Sequence, residues 1–196
     1  MTGKRPITSV EFFKIHSYMK RTRQYRNLVM ISLCYYTGYR IKEILSMKVS
    51  DSYLADGTIR NEIIVKPRYM KKRTPRMPIP ISDQLRDDLE LYRIELMNHG
   101  VFAPDLFLIR SQKGANKPIS YTQAYRIIQD VFDYAGIYEN VAVHSFRKSF
   151  CDRVYKKSDN DIRLTQTMMG HKNINTTIRY LSEDVNQAKA IIKSLQ

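Results

Sequence analysis

The amino-acid sequence predicts a mainly α-helical protein with a small antiparallel β-sheet inserted early in the chain, an α+β arrangement. Apolar residues recur at helical spacing through most of the 196 residues. Residues 58–65 are instead rich in β-branched side chains, and residues 76–79, after a basic turn, have the pattern of a returning strand. Glycines and prolines punctuate the chain without forming a long linker, so we expect a single domain over residues 1–196.

Capping signals and apolar spacing place the individual helices. Thr8 and Glu11 have the spacing of a capping box, which predicts a helix over residues 9–20. Ser82 is expected to cap a later helix, and Gly136 and Gly170 to end two others. A third helix is expected to have Ile41, Ile44, Leu45 and Lys48 on one face. The remaining helices are expected at residues 26–36, 121–134, 144–155, 161–169 and 184–194, with a short one around residue 176.

The charge balance indicates a polyanionic partner. Thirty-three Lys and Arg residues stand against 19 Asp and Glu, a formal net charge of +14. Such an excess steers polyanions toward the protein, so nucleic acid is the expected partner, with an anionic membrane surface or a generally basic surface as alternatives. The longest apolar stretch, residues 28–36, is far shorter than the ~20 residues that cross a bilayer.

The cysteines and histidines indicate neither a disulfide nor a metal site. Cys34 and Cys151 lie in apolar surroundings typical of reduced core thiols. The four histidines lack zinc-type spacing, so no metal and no cofactor are expected. These features favour a cytoplasmic protein.

Four short motifs occur in a fixed order along the chain. They are TGYRIKEIL at residues 37–45, HSFR at 144–147, MGHKN at 169–173 and NTTIRY at 175–180. Together they resemble the tyrosine recombinase (phage integrase) family, whose pattern is an Arg in a TGxRxxE-like segment, an HxxR pair, a GHxxxxTT stretch and a terminal Tyr. The resemblance covers about residues 8–190 and implies the catalytic-domain fold of that family, without its N-terminal core-binding domain.

The resemblance implies that this chain is a site-specific recombinase that attaches itself covalently to DNA. The implied catalytic residues are Arg40, Lys72, His144, Arg147, His171 and Tyr180. Arginines are suited to bidentate binding of phosphate oxygens, and a Tyr nucleophile with an ordinary pKa of ~10 needs a base. His144 is expected to accept the phenol proton, while His171 adds a hydrogen bond to the phosphate. Taken singly, His144 has an ordinary explanation as a helix cap, and His171 as a loop residue.

Two further positions are assigned less directly. Glu43 lies one helical turn from Arg40, where it orients an Arg or His, or forms a solvated ion pair with Lys42 or Arg40. The hairpin lysine of the family usually stands eight residues before a Pro that precedes the next helix. Pro80 therefore selects Lys72, although the hairpin lacks the usual Gly, and Lys71 and Lys66 remain alternatives.

The expected partner is double-stranded DNA, bound by a homo-oligomer, either a tetramer or a dimer of dimers. Three other functions compete with the recombinase. A type IB topoisomerase would use similar residues but rejoin the same strand, and a DNA-binding regulator would keep the fold without the chemistry. A basic RNA-binding protein is disfavoured because the sequence lacks an aromatic RNP motif.

Overall fold

The computed structural model describes residues 4–63, 77–114 and 116–181. Within them the mainly helical fold with a small antiparallel sheet is confirmed. The elements in chain order are α1 (Ser9–Arg21), α2 (Tyr25–Thr37), α3 (Ile41–Leu45), a 3-10 turn (Val49–Asp51), β1 (Glu62–Ile63), β2 (Ile79–Pro80), α4 (Asp83–Asn98), α5 (Tyr121–Ala135), α6 (Val143–Lys157), α7 (Ile162–Met169) and α8 (Ile174–Ile178).

Helix α2 forms the centre of the packing. Residues 28–35 of this helix are all buried, because α1, α3, α4 and α6 pack around it. Its sequence is apolar on nearly every side, the composition expected of a surrounded helix. A buried polar cluster fixes α1 and α2 against α4, since Asp88 accepts a hydrogen bond from Ser32 at 2.6 Å and lies 2.9 Å from Nε2 of His16.

The helix signals in the sequence correspond to caps in the structure. Thr8 and Glu11 form the reciprocal capping box at the start of α1. The side chain of Ser82 accepts from the backbone N–H of Leu85 to cap α4. Gly136 and Gly170 end α5 and α7 in the left-handed conformation. These four predictions are confirmed; the helix expected over residues 184–194 lies outside the described residues.

The prediction for Lys48 was wrong, because α3 ends at Leu45. Ser46 donates its hydroxyl hydrogen to the Glu43 carbonyl at 2.6 Å, and the chain then enters the 3-10 turn. Lys48 forms an isolated bridge with Phe107 instead. The deviation therefore comes from a pairing with a distant segment.

Within the described residues, the β-sheet consists of one short pair of strands. β1 and β2 are antiparallel, with Ile63 opposite Ile79. The start of the expected first strand is not part of this sheet, since Ile59 bridges to Tyr53 across a turn in which Gly57 has a φ of 87°. Residues 64–76, which include the predicted basic turn, lie outside the described residues.

Both cysteines are buried free thiols, as predicted. Burial raises the pKa of the Cys34 thiol and of the Cys151 thiol to about 12. Over the described part of the chain, no helix is long and apolar enough to cross a membrane.

Candidate active site

Arg147 lies inside the protein and joins three segments of the chain. It belongs to α6 and is 1% exposed. One terminal nitrogen donates to the Gly38 carbonyl. The other donates to the Met169 carbonyl at 2.8 Å and lies 3.0 Å from Nε2 of His171. The two carbonyl acceptors are uncharged and satisfy guanidinium donors through hydrogen bonds alone.

Gly38 combines a helix cap with close packing. It ends α2 with a φ of 61°, and a Cβ at this position would overlap the ring of Phe150. Only glycine adopts this backbone conformation readily and leaves room for the ring. The turn directs the Gly38 carbonyl to Arg147 and places Arg40 at the start of α3.

His171 is fixed at both its backbone and its ring. Gly170 ends α7 in the left-handed conformation, with a φ of 62°. The His171 N–H then donates to the Gln166 carbonyl at 3.1 Å, and the Gln166 side chain donates to the His171 carbonyl at 2.9 Å. The ring is buried, with Nδ1 3.0 Å from the hydroxyl oxygen of Thr177.

Tyr180 lies against the same two side chains. It follows α8, and its backbone N–H donates to the Thr177 carbonyl at 2.9 Å. The centroid of its ring is 5.0 Å from that of His171 and 5.7 Å from the Arg147 guanidinium carbon. Tyr180 is half-buried, and no hydrogen bond joins its hydroxyl to His144 or to any other described residue.

Arg40 and Glu43 form a local pair at the start of α3. The Glu43 carboxylate accepts from the Arg40 backbone N–H at 2.7 Å and from its Nη1 at 3.0 Å. The Glu43 side chain is 4% exposed, whereas that of Arg40 is 37% exposed. Glu43 thus anchors a guanidinium that reaches solvent.

His144 lies at the solvent-facing start of α6, one turn before Arg147. Partial burial of the ring, and then the positive charges of Arg147 and Arg40, lower the pKa of His144 below its usual 6.5. The imidazole is therefore neutral at pH 7 and can accept a proton.

The structure brings Arg147, His171 and Tyr180 into mutual contact, with Arg40 adjacent through Gly38. The hairpin lysine candidates Lys72, Lys71 and Lys66 lie outside the described residues. No group of three or more His, Cys, Asp or Glu side chains suited to a metal ion occurs in the described part of the chain.

Sequence analysis missed the groups that hold Arg147 and His171 in place. These are the carbonyls of Gly38 and Met169 and the hydroxyl of Thr177. The threonine belongs to the GHxxxxTT motif, so a signal for it was present. A carbonyl has no sequence signal, since every residue carries one.

The chain matches the sequence profile of the phage integrase family over residues 6–187. It is 30% identical to a tyrosine recombinase of Agathobacter rectalis over 90% of this chain and 53% of that protein. It is 29% identical to the tyrosine recombinase XerD of Oceanobacillus iheyensis over 79% of this chain and 49% of that protein. The chain thus spans about half the length of these curated relatives.

Solved recombinase structures have the same fold. The crystal structure of XerA recombinase superposes with a TM-score of 0.73, at 20% identity, over 100% of this chain and 66% of that one. The post-cleavage complex of the XerH site-specific recombinase with palindromic difH substrate gives 0.75, at 23% identity, over 98% of this chain and 53% of that one.

Proposed function

This chain belongs to the phage integrase family, the tyrosine recombinases, and from that premise we propose that it cuts and rejoins DNA strands through a covalent bond to Tyr180. The observation that carries the proposal is the contact of Tyr180 with His171 and Arg147. A nucleophile beside a fixed guanidinium and an imidazole is an arrangement suited to phosphoryl transfer.

In the first step the Tyr180 oxygen attacks a DNA phosphorus and forms a 3′-phosphotyrosyl bond. The phenol proton passes to the neutral His144, and the bond from phosphorus to the 5′-oxygen breaks. Lys72 donates a proton to that oxygen, which leaves as a 5′-hydroxyl. Arg40, Arg147 and His171 stabilise negative charge on the non-bridging oxygens.

In the second step a 5′-hydroxyl of another strand attacks the phosphotyrosine. The proton of that hydroxyl passes to Lys72, and Tyr180 leaves and regains its proton from His144, so one phosphodiester replaces another. Since the number of phosphoester bonds is unchanged, the exchange needs no ATP. The arginines supply the positive charge for which other phosphoryl-transfer enzymes use metal ions.

A bound phosphate would compete for the donors of Arg147. Its terminal nitrogens donate to the carbonyls of Gly38 and Met169 and lie against His171. A phosphate oxygen carries a negative charge that a carbonyl lacks, so it is the stronger acceptor for a guanidinium.

The proposed partner is double-stranded DNA, bound by a homo-oligomer of this chain. The net charge of +14 favours a nucleic acid ligand. The XerH recombinase is bound to palindromic difH substrate, and a λ integrase dimer is bound to a COC′ core site. The relatives' name, tyrosine recombinase, favours strand exchange over topoisomerase activity or a regulatory role.

The test uses duplexes selected from a randomised pool by binding to the full chain, each then nicked near its centre. A nick lets the cleaved fragment diffuse away, so covalent protein–DNA accumulates and appears on a denaturing gel. We expect Tyr180→Phe to form none while its DNA affinity stays within about a few-fold, since the phosphate-binding side chains remain.

Tyr138→Phe is the matched control. Tyr138 is 74% exposed, and among the described residues its hydroxyl donates only to the Asp133 carbonyl, at 3.3 Å. This variant should therefore retain full covalent trapping. Undiminished trapping by Tyr180→Phe, or none by the unmodified chain on any selected duplex, would contradict the proposal.

A further inference from the structure

The hydrogen bonds of His171 define which ring nitrogen carries its proton. Nε2 lies 3.0 Å from Nη2 of Arg147, and a guanidinium nitrogen can only donate. Nε2 is therefore the acceptor, and in a neutral imidazole the proton is on Nδ1. That nitrogen lies 3.0 Å from the Thr177 hydroxyl oxygen, which accepts its hydrogen.

This tautomer is the wrong one for binding phosphate. A phosphate oxygen is an acceptor, so His171 has to present an N–H from Nε2 in order to stabilise it. The proton on Nδ1 then leaves and another arrives at Nε2, with no net change in charge. Nδ1 becomes an acceptor, and its partner has to become a donor.

We propose that Thr177 is a positioning residue that supports both states of His171. Its hydroxyl accepts from Nδ1–H in the free protein and donates to Nδ1 when Nε2–H faces a phosphate. A hydroxyl can do both by rotating, whereas a carbonyl accepts only and an ammonium donates only. The need for the Nε2–H tautomer rests on the proposed DNA cleavage. The Nδ1–H tautomer rests on the structure of the free protein alone.

The surroundings of Thr177 suit this task. The side chain is completely buried, so water does not compete for the hydroxyl. The Thr177 carbonyl also accepts from the backbone N–H groups of Tyr180 and Leu181. One residue thus connects the ring of His171 to the backbone that carries the nucleophile.

Three substitutions separate positioning from simple packing. Thr177→Val keeps the shape and removes the hydroxyl, while Thr177→Ser keeps the hydroxyl and removes a methyl group. Thr176→Val is the matched control, since Thr176 precedes it in the same helix, is exposed, and has no hydroxyl contact with any described residue. Thermal unfolding of each variant confirms that it is folded.

The first measurement needs no DNA. Nitrogen-15 NMR of the full chain distinguishes protonated from unprotonated ring nitrogens, and the chain has only four histidines to assign. We expect Nδ1–H at His171 in the unmodified chain, in Thr177→Ser and in Thr176→Val, and loss of that single state in Thr177→Val. The proposal is overturned if His171 carries its proton on Nε2 in the unmodified chain. It is also overturned if His171 keeps the single Nδ1–H tautomer in Thr177→Val.

The second measurement is the single-turnover rate of covalent complex formation on the nicked duplex. At histidines that bind metal ions, loss of the partner that fixes the tautomer typically reduces activity ~10–100-fold, and we take the same range as the expected effect here. We expect that loss in Thr177→Val with DNA affinity unchanged, near-complete rescue in Thr177→Ser, and no effect in Thr176→Val. A full rate in Thr177→Val, or an equal loss in Thr177→Ser, overturns the proposal. Absence of cleavage by the unmodified chain would refute the proposed function and leave the tautomer result standing.

Discussion

His144 lies in the field of two arginines, and their charges add to the effect of burial on its pKa. Burial and the nearby Arg147 and Arg40 lower its pKa below 6.5. Arg40→Met removes one of those charges, so the pKa of His144 should rise toward 6.5. NMR titration of the imidazole in the free protein measures the change, and catalytic activity is not needed for it.

Lys156→Met provides the control for that titration. It removes the same charge from the last turn of α6, where Lys156 is paired with Asp152 at 3.1 Å. The pKa of His144 should not move. A value at or above 6.5 in the unmodified chain would refute the assignment of His144 as a neutral base.

The lowered pKa also has a consequence for stability. The unfolded chain binds a proton at His144 more readily than the folded one does, so protonation favours unfolding. The contribution of neutral His144 to the free energy of unfolding is complete above about pH 6.5, the ordinary pKa of His. It is lost as the pH falls through the pKa of His144 in the folded protein.

Among the elements, the junction of α2 and α3 should be sensitive to substitution, because Gly38 is closely packed there. Gly38→Ala places a side chain in a left-handed conformation and against the ring of Phe150. We expect a loss of about 2–4 kcal/mol in the free energy of unfolding, from conformational strain and overpacking together. Covalent trapping should also fall, because the Gly38 carbonyl that holds Arg147 moves. Chemical denaturation and the gel assay measure the two effects.

Gly136→Ala isolates the conformational part of that loss. Gly136 ends α5 with a φ of 70°, but a Cβ there would meet nothing within 4 Å. Its substitution should lower stability by only about 1 kcal/mol and leave trapping intact. Equal losses from the two alanines would show that the packing against Phe150 is unimportant.

At the scale of the elements, the sequence predicts the helix caps, because a cap depends only on residues a few positions apart. The Thr8–Glu11 capping box and the glycine caps are encoded within a few residues, and they occur where the sequence indicates. Lys48 departed from expectation because its partner, Phe107, is far along the chain. Periodicity contains no information about such pairings.

In the candidate site too, local motifs could be predicted from the sequence and contacts between distant segments could not. The ordered motifs identify Arg147, His171 and Tyr180, which the structure brings together. The motifs do not predict that the arginine donates to the carbonyls of Gly38 and Met169, since these contacts arise only once α2, α6 and α7 are packed.

For the molecule as a whole, the net charge of +14 should determine how binding responds to salt. Each phosphate neutralised by a Lys or Arg releases counterions and contributes about −0.9 to the slope of log K against log salt. We expect a slope steeper than about −3, corresponding to more than about three phosphate contacts. Fluorescence anisotropy with a labelled duplex at several salt concentrations measures it. A flat dependence would show that the basic surface does not bind the DNA backbone.

The two buried thiols make this chain convenient for site-selective labelling. With a pKa of about 12, Cys34 and Cys151 are almost wholly protonated at pH 8, with roughly one thiolate in ten thousand. Maleimide dyes react with thiolates, and neither sulfur is accessible to them in the folded protein. A single cysteine introduced on the surface would therefore take up a fluorophore without removal of the native pair, and the motions of labelled copies on DNA could be followed one molecule at a time.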